Sequence, residues 1–138
     1  MSVGSENLAY ALTQVVHNFG AAAVLGAAVF ALWPDFRAES ARRFAWLILL
    51  GWGAQIASGA VFGLTSYYYY GATPDLSSLA LAALAVKVAA ATSAFLLVAV
   101  YLVRGRDWAR ARVRLGFQVL AALAATALTA AAFLRWFS

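Results

Sequence analysis

The chain has 138 residues, 65% of them hydrophobic and only 11% charged, with a mean hydropathy of +0.83. Soluble domains carry about 25% charged residues, so the composition excludes an ordinary soluble fold and points to an integral membrane protein. The net charge is +5 and there is no cysteine, which removes disulfides, thiolate metal sites and covalent c-type haem attachment.

Four apolar stretches reach the roughly 20 residues needed to cross a bilayer core about 30 Å thick. In chain order they are 8–33, 45–67, 79–103 and 115–136, which leaves no room for a separate soluble domain. The first has no basic n-region, is too long for a signal h-region and carries polar residues at its centre, so it is expected to remain in the mature protein. The connection after it, "PDFRAESARRF", holds Arg37, Arg42 and Arg43. The second stretch contains the GxxxG pair Gly59 and Gly63, a small-residue surface of the kind that lets helices approach closely in lipid. The following connection, "SYYYYGATPDLSS", has no Lys or Arg; Pro74 interrupts it, and Asp75 or Ser77 is placed to cap the third helix. After the third stretch, "RGRDWARARVR" supplies Arg104, Arg106, Arg110, Arg112 and Arg114.

Short connections predict antiparallel neighbours, hence an all-α, up-down four-helix transmembrane bundle forming one domain over residues 1–138. The Arg-rich connections belong in the cytoplasm under the positive-inside rule, which puts both termini outside. Trp33, Trp46 and Trp108 then flank the inner boundary, and Tyr10, Tyr67 to Tyr70 and Trp136 the outer one, as an aromatic belt requires. The expected location is the inner membrane of a bacterium, with the termini periplasmic. The positive charge sits beside membrane ends, where orientation and anionic lipid headgroups account for it; nucleic acid is not an expected partner.

Inside this apolar frame the polar residues are informative. Gln14, His17 and Asn18 lie in the first stretch, Gln55 and Ser58 in the second, Lys87 in the third, and Thr126 and Thr129 in the fourth. A central lysine costs about 2.5 to 3.5 kcal/mol even on insertion scales, so such a residue tends to face the bundle interior and to have a partner or a function. His17 and Lys87 each lie nine residues from an outer end, Leu8 and Ser78, which is roughly 13 to 14 Å deep at 1.5 Å per residue. By the same count Gln55, Ser58, Thr126 and Thr129 fall at about 10 to 18 Å, so polar groups from all four helices are expected in the outer half.

Three occupants suit that layer. One is a hydrogen-bonded polar core with no ligand. A second is a haem b held by His17 as axial ligand, with Lys87 or the His17 of a second copy opposite, and with Gln55 and Gln14 nearby. A third is a copper or proton path through His17 and Lys87. With no cysteine and Met1 as the single methionine, copper(I) would lack its preferred ligands, whereas iron in a porphyrin needs one histidine. Haem b is therefore the leading cofactor and copper the alternative. The loops hold no Ser/His/Asp set, phosphate-cradling glycine loop or paired carboxylates, so an enzymatic role would be that of a membrane oxidoreductase.

The chain resembles the four-helix membrane proteins of the copper-resistance protein D type and the HemJ-type protoporphyrinogen oxidases. His17 in "VVHNFGAAAVLG", and Leu84 and Lys87 in "LAVK", are similar to their first-helix histidine and third-helix L-x-x-K step. The segment "ATPDLSSLALAALAVKV" is similar to their outer loop leading into the lysine helix. The resemblance implies a haem-binding role for His17 and Lys87 in electron transfer or a membrane redox complex. Membrane lipids, a homodimer or larger complex, and a periplasmic redox partner are the partners expected. The alternative is a copper or proton transporter, or a non-catalytic accessory subunit.

Overall fold

The computed structural model describes residues 3–34, 38–72 and 74–138. Asp35 and Arg37, which the sequence places in the first inner connection, lie outside the described residues.

Four long helices account for nearly all of it: α1 (Val3–Phe30), α2 (Ala38–Tyr70), α3 (Ser78–Arg104) and α4 (Arg110–Phe137). A single 3-10 turn, Gly105–Asp107, links α3 to α4. Helices of 27 to 33 residues measure about 40 to 50 Å at 1.5 Å per residue. All four are long and apolar enough to cross a membrane.

Each helix outruns the apolar stretch expected for it except at one end. Ala, Glu and Arg are good helix formers, so α2 begins at Ala38 and α4 at Arg110, well before the apolar residues start. By contrast α1 stops at Phe30 and not at Trp33. There the chain tightens into i to i−3 bonds, Leu32 to Val29 and Trp33 to Phe30, ahead of Pro34, which cannot extend a helix. At the opposite end Gly71 takes φ +68 and donates to the Tyr67 carbonyl, closing α2 in a left-handed conformation that glycine adopts freely. Ser77 caps α3, its hydroxyl accepting from the Ala80 N–H at 3.2 Å and donating to the Phe137 carbonyl at 2.5 Å.

Packing divides the bundle into two antiparallel hairpins, α1 with α2 and α3 with α4, each more extensive than the α2/α3 and α1/α4 seams that join them. Alanines dominate the interior, among them Ala28, Ala45, Ala94 and Ala124, all fully buried, and let backbones approach closely. Val24, Ile48, Trp52 and Val98 are the largest fully buried side chains, and they fill the half of the bundle nearer the arginine-bearing connections. Large apolar side chains such as Leu12, Phe19, Leu50, Leu64, Leu96 and Val103 face outward. A surface of that extent needs a covering, and lipid supplies it for a transmembrane four-helix bundle.

Candidate functional site

Helix packing positions the polar layer. At one level of the α1/α2 hairpin the backbones come so close that glycine is required on both sides. A Cβ on Gly20 would stand 2.9 Å from the Gly51 carbonyl oxygen, and one on Gly51 would stand 2.9 Å from Val24 Cγ1. The GxxxG pair Gly59 and Gly63, by contrast, has nothing within 4 Å of either Cβ position. The sequence favours the latter pair because of its spacing, but the contact falls at two glycines on different helices.

One turn outward from this crossing, the buried amide of Gln55 donates to the carbonyl of His17. That bond reaches across helices and holds α1 at the residue whose imidazole matters. His17 Nδ1 lies 2.7 Å from Ser58 Oγ, and Nε2 lies 3.2 Å from Lys87 Nζ. Phe62 packs edge-on against the imidazole, with ring centroids 5.6 Å apart.

The hydroxyl of Ser58 fixes the imidazole tautomer. Ser58 Oγ is 2.5 Å from the Ala54 carbonyl, a separation that needs the hydroxyl proton between the two oxygens. Ser58 therefore accepts from His17, which places a proton on Nδ1. Nε2 then presents its lone pair to Lys87, which donates. A directed chain results, from Lys87 on α3 to His17 on α1, to Ser58 on α2, to a backbone carbonyl.

The other candidates go elsewhere. Gln14 donates to Asn18 at 2.6 Å along the surface of α1. Thr126 and Thr129 are exposed and bond back to the Ala122 and Ala125 carbonyls of their own helix, each at 2.8 Å. The expected four-helix polar cluster is thus a three-helix one. A threonine hydroxyl in lipid always has the i−4 carbonyl within reach, so its presence in a stretch does not imply a partner on another helix. Ser58 was visible as a polar residue one turn from Gln55, yet only the structure separates it from the threonines.

A haem or metal ion must be tested against this arrangement. Ligation of a haem iron from both axial sides, with a metal–nitrogen bond of about 2 Å on each, needs some 4 Å between the donor atoms, more than the 3.2 Å between His17 Nε2 and Lys87 Nζ. The pair as placed does not flank a haem iron from opposite sides, so His17 would serve as an axial ligand only with Lys87 withdrawn; the same separation suits adjacent ligands of a bare ion such as copper, which needs further donors. Among the described residues no three His, Cys, Asp or Glu side chains come together.

Inward of this layer the interior turns apolar. Two turns inward along α2 from Ser58, past Gln55, lies Trp52, whose buried Nε1 has no acceptor among the described residues, and an indole N–H can donate but not accept a proton. Comparison with protein-family models, curated proteins and solved structures finds no match. The resemblance to the copper-resistance and HemJ-type proteins thus rests on His17, Leu84, Lys87 and the loop before them.

Proposed function

We propose that the protein is a proton transporter of the bacterial inner membrane, in which the Lys87–His17 pair carries the proton. The observation that supports this reading is the single hydrogen bond between two basic side chains, 3.2 Å apart in the membrane interior. Two groups that each bind a proton share one, and the oriented Ser58 contact holds the imidazole so that its lone pair faces the lysine. For stability alone such a pair is a poor choice, since apolar side chains of similar size are often as good or better. Ionisable groups at this depth mark ion and proton pathways.

Orientation follows from charge. Arg42, Arg43, Arg104, Arg106, Arg110, Arg112 and Arg114 all lie where α1 meets α2 and α3 meets α4, so that end is cytoplasmic and both termini are periplasmic. The pair then lies nearer the periplasmic face. The apolar interior around Trp52, Val24, Ile48 and Val98 separates it from the cytoplasm. This is the arrangement of a carrier closed on one side, not of an open pore.

Purified protein reconstituted into liposomes with a trapped pH dye, and driven by a potassium gradient with valinomycin, tests the reading. Wild type is expected to admit protons, and Lys87→Met and His17→Gln to fall to the level of empty liposomes. Undiminished flux in Lys87→Met would refute the assignment. A Soret band in the purified protein that disappears in His17→Ala would replace it with haem binding.

A further inference from the structure

All four helices open at the cytoplasmic end into a cavity of about 760 Å³, some way from the Lys87–His17 pair. Five arginines line it, Arg42, Arg43, Arg106, Arg110 and Arg114, and among the described residues Glu39 is the one acidic residue in its wall. Like charges gathered around one cavity repel, and with a single acid to offset them the space favours an anion.

Three further features point the same way. The first turn of α4 contains no acidic residue and begins with Arg110, and its N-cap, Ala109, makes no side-chain cap hydrogen bond. A helix N-terminus carries a partial positive charge and favours anions, so arginine there is the wrong sign for the helix and the right one for a bound anion. Arg42 is held in place, its Nη2 donating to the Leu102 carbonyl at 2.7 Å near the end of α3. Tyr101, buried at 9% exposure, lines the cavity, and its hydroxyl makes no hydrogen bond to any described residue.

The placing of Tyr101 depends on Gly105, one turn along. A Cβ there would run into Tyr101 Cδ2, so only glycine lets the ring lie where it does, packed between Trp108 and Phe117 with centroids 5.7 and 5.6 Å away. The cavity therefore combines a fixed guanidinium, four further arginines, a spare hydroxyl donor and aromatic walls. Trp33 and Trp46, which also line it, are exposed at the level where headgroups begin.

We infer that this cytoplasmic cavity binds a phosphate group, as inorganic phosphate, a soluble phosphate ester or the headgroup of an anionic phospholipid. Guanidinium suits it because its donors match phosphate oxygens two at a time. The site is independent of proton transfer at Lys87.

Thermal stability and native mass spectrometry of the protein in neutral detergent test this, with inorganic phosphate, glycerol 3-phosphate, phosphatidylglycerol and phosphatidylcholine as probes. The expected result is saturable stabilisation by at least one of the first three and none by phosphatidylcholine. Affinity should fall about tenfold or more in Arg110→Gln/Arg114→Gln, consistent with losing charge-assisted hydrogen bonds, and fall measurably in Tyr101→Phe, which keeps the ring. Arg104→Gln, outside the cavity wall, should bind as wild type does. Binding of phosphatidylglycerol alone assigns the site to lipid, and binding of the soluble probes assigns it to a cytoplasmic phosphate compound. No saturable binding by any phosphate probe, or an equal loss in Arg104→Gln, would overturn the inference.

Discussion

Replacing Gly20 by alanine puts a methyl group into the close α1/α2 crossing. The new Cβ would meet the Gly51 carbonyl oxygen at 2.9 Å and Gln55 Nε2 at 3.2 Å. Restoring an ordinary 3.4 Å separation from a backbone atom that cannot rotate away requires α1 and α2 to part by 3.4 minus 2.9, or about 0.5 Å. A gap of that size already forfeits about a quarter of the dispersion energy of each contact along the crossing. In lipid that loss is not offset by a hydrophobic drive between helices. Overpacking of this kind destabilises by about 1 to 3 kcal/mol. The same displacement carries Gln55 away from the His17 carbonyl, so the imidazole should move as well. Reversible unfolding in mixed micelles, alongside the ¹⁵N spectrum of His17, measures both effects. Gly59→Ala and Gly63→Ala, with open space at both positions, serve as comparisons and should change monomer stability by less than about 0.5 kcal/mol. Wild-type stability in Gly20→Ala, or an equal loss in Gly59→Ala, would refute the argument.

Ser58→Ala removes the acceptor that holds the proton on His17 Nδ1. It should cost about 1 to 3 kcal/mol for the N–H left unpaired, and ¹⁵N chemical shifts should show loss of the single tautomer. Ser77→Ala deletes the α3 cap and its bond to the end of α4, and should lower stability by about 1 kcal/mol without altering the His17 spectrum. Because the chain has no native cysteine, orientation can be read by labelling. Ser138→Cys should react with an impermeant maleimide in intact spheroplasts, and Ala109→Cys only after permeabilisation.

The existence and order of the four helices were legible because apolar length and charged connections define them. The nearness of His17 and Lys87 was legible for a related reason: helical rise is constant, so equal counts from two outer ends give equal depths. Three features were not. The Gly20/Gly51 crossing depends on which faces two helices present to each other, and neither glycine belongs to a local motif. Thr126 and Thr129 look equivalent to Ser58 in sequence, and their different hydrogen bonding follows only from which way α4 is turned. The arginine-lined cavity was hidden because arginines next to a membrane already have a sufficient explanation in topology. Only the convergence of all four helix ends, with Tyr101 beneath, distinguishes a lined cavity from a row of headgroup contacts.

The division into two hairpins has a mechanical consequence. Among the described residues, two hydrogen bonds join one hairpin to the other: Lys87 to His17 in the half nearer the termini, and Arg42 to Leu102 at the arginine-bearing end. A second proton on the imidazole would remove the lone pair that accepts from Lys87 and set two positive charges face to face, unlatching the outer pin. An anion drawing Arg42 off the Leu102 carbonyl would loosen the inner one. The two hairpins would then behave as rigid jaws hinged along a thin alanine seam, with a separate chemical key at each end.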